Sequence, residues 1–438
     1  MLRILLIAVL TIFIGISPVW AEQRGPKIRV GLVINQFSVE LSSLGKIKLD
    51  SNTGRDVTLN PGKHFISLRN GDLFADQTKL GGSVVSVTAL NAKTPLLINQ
   101  KNYRGGITAV VNSNKKTINV VNTLPMEDYL YGVIAKEVLP LWPDEAIKAQ
   151  AVAARSFALY AMDNNDYPNY DIRANEMGQV YGGIAAEHAN TSKLVDATNG
   201  MAVLSDGKPI QAFFHSSSGG YTESASYVWG KPVSYLQAVE DYDQDAPNFS
   251  WDKTFTRDQL QRTLELNGYQ VGVLEGIRLS PRKPAPAKPT EDRGISGRVR
   301  KITFKGRKAT VTLTGDQVRN LLGLNSTLFD IVVGLQRPDY IEVPIVNQYG
   351  VTVGTKKIPI KRDPRSTTYT GTVGDLHLLT DVKDEKIFFT GNGWGHGLGL
   401  SQWGARGMAL SKQARDKKNY YITILEHYYK GTTVRDIY

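Results

Sequence analysis

Cysteine is absent from this sequence of 438 residues. Disulfides are excluded, and a chain this long can bury enough core without them. Histidine is scarce, with six copies scattered along the chain. The formal charge of +11 invites an acidic partner such as an anionic cell-wall polymer, a membrane surface or nucleic acid. However, there is no basic helix, no zinc-finger spacing and no aromatic-basic sheet motif, so the charge is not arranged as in nucleic-acid binders. His-Glu-x-x-His and Gly-x-Ser-x-Gly are both missing. The serine run Ser216–Ser218 has no evident base and orienter, which speaks against a metal-dependent or serine hydrolase. Beyond the first residues, no stretch is long and apolar enough to cross a membrane.

At the start stands a short basic segment, Met1-Leu-Arg3. The almost wholly apolar run Ile4–Ile16 follows, and Val19-Trp-Ala21 suits a cleavage site after Ala21. Residues 1–21 therefore read as a secretory signal peptide, with export to periplasm or cell wall expected. Residues 22–122 read as a β-rich region. Ile28–Ile34, Ser83–Thr88, Ile107–Val111 and Thr117–Val121 are strand candidates between Asn- and Gly-bearing turns, and His64 is expected to be structural. Residues 123–438 mix helices and strands. Pro- and Lys-rich residues 281–290 read as a linker or exposed loop. Gly297–Phe304 with Ala309–Leu313 predicts a hairpin, followed by a helix over 315–322. The expected fold class is α+β: two mixed lobes around a groove, led by the β-rich N-terminal part.

Residues 126–160 hold the chain's organising element, two helices joined by Pro140-Leu-Trp-Pro143. Met126, Leu130, Val133, Ile134 and Val138 recur at helical spacing. Glu137 falls on or beside that apolar face. A desolvated carboxylate has a raised pKa, which suits general acid-base chemistry near neutral pH. The alternatives are that Glu137 turns to solvent or pairs with Arg155. Six alanines between Ala146 and Ala158 make the second helix a strong one. Gln150 and Arg155 interrupt it, facing either a site or water.

Downstream, Gln179-Val-Tyr-Gly182 is a polar-aromatic turn. The predicted strand Ile210–Phe214 runs into His215-Ser-Ser-Ser-Gly-Gly220, a small-residue loop able to approach a ligand. Asp241, Asp243 and Asp245 begin like a calcium loop, but Ala246 and Asp252 break the pattern. Glycine occupies every odd position from 391 to 399. An extended segment of this kind bares one face for a flat polar ligand such as a sugar and sets Trp394 and His396 on the other; the alternative is tight packing on another backbone. Ser401 is expected to cap a helix over 402–410.

Taken together, six stretches resemble the stage II sporulation protein D / amidase enhancer family of exported bacterial wall proteins. They are Tyr129–Val133 with Lys136–Pro140, Glu145–Arg155, Phe214–Gly220, Leu322–Phe329, Gly393–Ala405 and Ile424–Tyr429. The resemblance covers roughly residues 120–438, with insertions near 250–295 and 335–385. It implies a peptidoglycan lytic transglycosylase that cleaves MurNAc–GlcNAc bonds of peptide-stripped glycan with 1,6-anhydro ring closure. Glu137 matches the family's catalytic acid. Gln150, Arg155, Gln179, Tyr181, His215, Ser216, Trp394, His396 and Gln402 are the candidates for substrate contact. The competing expectation is a non-catalytic wall-binding protein that stimulates a cell-wall amidase. Some relatives are thought to carry zinc with cysteine among the ligands. This chain has no cysteine, so neither metal nor other cofactor is expected.

Overall fold

The computed structural model of the protein describes residues 25–91, 93–112, 116–176, 178–335, 340–346, 352–359, 368–369, 372–380 and 385–438. The expected signal peptide and parts of the second expected insertion lie outside the described residues.

Alternating side chains build the N-terminal region. Ser38–Ser43 and Ile47–Ser51 bury every second residue, as strands with one covered face must. A six-stranded and a seven-stranded sheet enclose one core that includes Leu41, Ile47, Leu49, Ile66, Val85 and Val120. His64 is structural here, tied to Asp76 and the carbonyl of Asn60.

This region is not a detached module. Strand Lys27–Gln36 pairs antiparallel with Ile118–Pro125 and parallel with Ile172–Arg173. Strand Ile118–Pro125 crosses the expected boundary at 122–123 and passes directly into a helix. Ile28, Val30 and Leu124 therefore share a core with Val133, Ile147 and Ala154.

Among the described residues the helices are α1 (Met126–Glu137), α2 (Asp144–Asn164), α3 (Ala189–Asp196), α4 (Ala225–Val228), α5 (Arg257–Leu266), α6 (Gly315–Leu322), α7 (Gln402–Ala409), α8 (Lys412–Asp416) and α9 (Tyr420–Tyr428). α2 joins two cores. Ile147, Ala151, Ala154 and Ala158 pack toward α1, while Ala149, Val152 and Ala153 pack toward α7 and α9. Its alanines let both neighbours approach closely.

A third core, with Leu264, Ile277, Phe304, Val318, Phe329 and Phe389, unites residues of the first expected insertion with the segments that flank the second. Ser250–Phe255 pairs with Glu385–Asn392, and Leu274–Arg278 with Lys301–Gly306. The predicted hairpin is Lys301–Gly306 with Thr310–Thr314, and α6 follows with a reciprocal cap between Thr314 and Gln317. Residues 281–290 form an irregular, largely exposed segment. The class is α+β with a β-rich N-terminal part.

Two local expectations are corrected. The strand anticipated over Ile210–Phe214 shrinks to Phe214–His215, which pairs parallel with Leu400–Ser401. Gly391–Gly399 is not one extended strand. Gly393, Gly395, Gly397 and Gly399 all have positive φ, between 66° and 115°, so the backbone coils after Asn392.

Candidate active site

Glu137 is the last residue of α1, partly buried, where the helix's unpaired carbonyls make the field unfavourable to a negative charge. The turn between α1 and α2 is pinned by Trp142, whose ring meets Trp403 edge-on at 4.9 Å. Trp403 belongs to α7, and the Ser401 hydroxyl caps that helix by accepting the Gly404 N–H at 3.1 Å. This places Gln402 so that its Nε2 donates to Glu137 Oε2 at 3.2 Å.

Burial raises the Glu137 pKa. The Gln402 amide and the backbone N–H of Val180 oppose that shift without cancelling it. The groups acting on the carboxylate are therefore neutral, and among the described residues no second carboxylate is one of them. A carboxyl group of this kind keeps its proton to higher pH than an exposed one and is still held in one orientation.

Arg155 does not pair with Glu137. It is fully buried and grips Glu127, at the other end of α1, through Nε at 2.8 Å and Nη2 at 2.5 Å. Its Nη1 donates to the Met201 carbonyl at 3.0 Å, and the Tyr438 hydroxyl closes on Glu127 from the other side. The expectation that Arg155 contacts substrate is thereby corrected.

Gln179 and Tyr181 are corrected in the same way. Gln179 is 1 % exposed, accepts from the Tyr129 hydroxyl at 3.0 Å and donates to the Ala154 carbonyl at 3.1 Å. Tyr181 is 4 % exposed and donates to Asn122 Oδ1 at 3.1 Å. Both face inward, because the turn they form is sandwiched between the helices and the N-terminal sheet. Gln150 is buried too, yet neither end of its amide has a hydrogen-bond partner.

The loop after Phe214 and the glycine-rich segment meet around His215. His215 Nδ1 bonds the Leu398 carbonyl at 3.0 Å, leaving Nε2 buried and without a partner. Burial, together with the neighbouring His396 ring and the charges of Arg298 and Arg319, holds this imidazole well below its usual pKa. His396 stands 5.3 Å from it, ring to ring. Its Nε2 bonds the Phe214 carbonyl at 3.1 Å and its Nδ1 accepts the Leu398 N–H at 3.0 Å, so both nitrogens serve the backbone. Its pKa is pushed down to about 4, first by burial and then by Arg298 and Arg319. Ser216 is partly exposed and its carbonyl accepts the Trp403 N–H at 3.0 Å, while Trp394 presents 44 % of its surface to solvent.

The glycines have an internal cause. A Cβ on Gly397 would lie 2.2 Å from Arg298 Nε, and one on Gly399 would lie 2.1 Å from the Phe213 carbonyl oxygen. The bare face expected to receive a sugar is covered by the protein itself.

Beneath the serine loop, Asp243 accepts the N–H groups of Gly219 and Gly220 at 2.7 and 2.9 Å, and Asp241 accepts the Tyr428 hydroxyl at 2.6 Å. Both aspartates are buried loop anchors, and burial plus the charge of Asp241 pushes the Asp243 pKa up to about 6.

Of the residues singled out in the sequence, the structure brings Glu137 and Gln402 together, with Ser216 and His215 adjoining them through Trp403 and Ser401. Sequence reasoning missed Val180, which acts through its backbone and carries no side-chain signal. It also missed Tyr129, although that residue lies two turns before Glu137 on the same helix face, and Trp403.

Glu137 is thus a partly buried acid at a helix end, oriented by neutral donors, a setting that suits proton transfer. Residues 114–204, which contain α1, α2 and the Gln179 turn, match the family model described as stage II sporulation protein (SpoIID). The chain is thus similar to the stage II sporulation protein D / amidase enhancer family over this segment.

Individual relatives extend the likeness well beyond that segment. An uncharacterised protein of Brachyspira hyodysenteriae is 29% identical over 325 residues, 73% of this chain and 69% of the relative. The amidase enhancer of Bacillus subtilis is 29% identical over 387 residues, 85% of this chain but only 50% of the relative, so the match spans half of that protein. Stage II sporulation protein D of Bacillus subtilis is 28% identical over 335 residues, 72% and 76% of the two chains.

Proposed function

We propose that this protein is an exported peptidoglycan lytic transglycosylase acting in periplasm or cell wall on glycan strands, with residues 123–438 as its catalytic region. Protonated Glu137 gives its proton to the glycosidic oxygen between MurNAc and GlcNAc as the bond from the anomeric carbon to that oxygen breaks. The resulting carboxylate then takes the proton of the muramyl 6-hydroxyl while that oxygen bonds the anomeric carbon, closing the 1,6-anhydro ring. One carboxyl group ends as it began, and no water is consumed. Hydrolases that use two carboxylates place them about 5–9.5 Å apart.

The observation that carries this reading is that Glu137, half-buried at the end of α1, is held by the neutral Gln402 amide, has a raised pKa, and among the described residues has no second carboxylate acting on it. In this scheme Gln402 aims the carboxylate. The exposed face of Trp394 takes a sugar ring by stacking, while His215, 5 % exposed with its Nε2 buried, lies behind the surface and not on it. A second reading rests on the name of one relative, the amidase enhancer of Bacillus subtilis. In that reading the chain binds the wall without cleaving it and stimulates a partner amidase.

The test is digestion of purified glycan, with and without stem peptides, by wild type and Glu137→Gln, read by mass spectrometry. Anhydromuramyl ends from wild type alone support the transglycosylase. Reducing ends would indicate a hydrolase. No products, with glycan binding retained, would favour the amidase-stimulating protein.

A further inference from the structure

The sequence holds six tryptophans, and among the described residues two of them stand well out into solvent, Trp394 at 44 % and Trp229 at 43 %. Tryptophan is highly buried on average, so an exposed indole calls for a cause. The two are far apart in the chain, yet a line of rings runs between them.

Phe213 is the hub of that line. Its ring stands 4.6 Å from that of Trp229 and 6.1 Å from that of His396, at interplanar angles of 62° and 85°. On its inner side it meets Phe157 of α2 at 5.6 Å and 77°. Steep ring contacts of this kind are the ones the aromatic quadrupole favours. His396 follows Trp394 by two residues, so the strip reads Trp229, Phe213, His396, Gly395, Trp394. Each of these five residues keeps part of its surface in solvent.

The strip is fixed through its backbone. The Trp394 N–H donates to the Ser217 carbonyl at 2.7 Å, and the Trp394 carbonyl accepts the Ser217 N–H at 3.1 Å. The Trp229 N–H closes α4 by donating to the Ala225 carbonyl at 2.8 Å, and buried Ala225 donates its own N–H to the Leu236 carbonyl at 3.1 Å. Between them, the Phe213 carbonyl accepts the Leu400 N–H at 3.0 Å and the Tyr429 hydroxyl at 2.8 Å. A ligand on the strip therefore has little left to order.

The surroundings narrow the ligand. Within residues 210–232 and 393–403 the two indoles are the only well-exposed large apolar side chains; no leucine, isoleucine or methionine joins them. A protein-docking patch has a contiguous apolar core. Separate ring faces in a polar rim suit pyranose sugars instead. The C–H groups on one side of such a sugar meet the negative face of an aromatic ring, while its hydroxyls stay in water.

We infer that Trp229 is a sugar-stacking platform, and that the strip from Trp229 to Trp394 is one track for a glycan strand extending beyond the unit at Glu137. The track is connected to the candidate active site through His215. That ring stands 5.3 Å from His396, and its strand pairs with Ser401, next to the Gln402 that bonds Glu137. The length of the strand, and not only the bond to be cut, is then part of what the protein recognises. This inference deepens the proposed function and rests on it for the identity of the sugar polymer.

The experiment measures binding of peptide-free glycan to the full chain, as a single GlcNAc–MurNAc disaccharide and as long strands. Every protein carries Glu137→Gln, so that nothing is cleaved. A ligand touching several platforms gains affinity with length. Adding Trp229→Ala should cut that gain about tenfold, and Trp229→Tyr, which keeps a smaller ring, about threefold, with disaccharide binding little changed. Tyr242→Ala removes a ring that is 41 % exposed and lies off the strip, and it should leave the gain intact. Should the alanine variant not fold, 19F NMR of protein carrying 5-fluorotryptophan replaces it. The resonance lost in Trp229→Tyr is expected to move when long strands are added.

Unchanged strand affinity in the Trp229 variants, or a Trp229 resonance that ignores long strands, overturns the inference and leaves that indole to a protein partner. No glycan binding by the Glu137→Gln parent overturns both the track and the proposed function. Binding that depends on Trp229, with no cleavage by the protein that keeps Glu137, retains the track and discards the transglycosylase. Cleavage with no dependence of binding on Trp229 does the reverse.

Discussion

The two ends of α1 treat a glutamate in opposite ways. Glu127, at the start, is 2 % exposed and fully matched: a guanidinium grips both of its oxygens, a phenol closes on one of them, and the helix N-terminus lies alongside. Glu137, at the end, is less buried but has only neutral donors, and the helix field works against its charge. The first carboxylate is matched by a guanidinium that ties α1 to α2. The second is left easy to protonate. Burial alone does not distinguish a structural acid from a reactive one; the charge of its partners does.

That contrast can be broken from either side. The largest effect is expected from Glu137→Gln, which should lower glycan cleavage by about 10²–10⁴-fold. Its thermal unfolding above neutral pH should match or exceed that of wild type, because an unmatched desolvated charge has gone. Next, Arg155→Met leaves Glu127 buried without its cation and should cost about 3–5 kcal/mol in urea unfolding. Equal stability losses at both ends of α1 would erase the distinction.

A smaller loss, about 1–3 kcal/mol, is expected for Gly399→Ala, since the residue has φ near 66° and a Cβ would strike the Phe213 carbonyl. The smallest effect is a pH slope. The Asp243 pKa rises from 3.8 unfolded to about 6 folded. Between those values the native state holds more protons than the unfolded one, so stability falls as pH rises through that window and levels off above it. Urea midpoints of wild type across that range should decline, and those of Asp243→Asn should decline less.

Much of this was legible in the sequence, and the reason differs from place to place. The helix pair was readable because Pro140 and Pro143 punctuate a strong local pattern, and Glu137 stood out because it falls where an apolar residue should. The Ser401 cap and the hairpin expected over Gly297–Phe304 and Ala309–Leu313 follow from equally local chemistry. The rest depends on partners far along the chain. Arg155 looked available until Glu127 and Tyr438 closed on it. Gln179 and Tyr181 looked like a polar turn because Asn122 and Ala154 are invisible to a local reading. The alternating glycines imitate a strand of period two, whereas their cause is steric: Arg298 and Phe213 occupy the space where side chains would be.

The Gln402–Glu137 contact closes a sequence separation of 265 residues, and the His215–Leu398 contact one of 183. Contacts this distant form late, because loop closure must be completed before they give anything back. During synthesis α1 and α2 exist long before α7 has been made, so a nascent chain carries the acid without the amide that aims it. The Glu137 carboxyl is therefore not aimed until α7 has been made and has packed against α1, a delay set by chain topology.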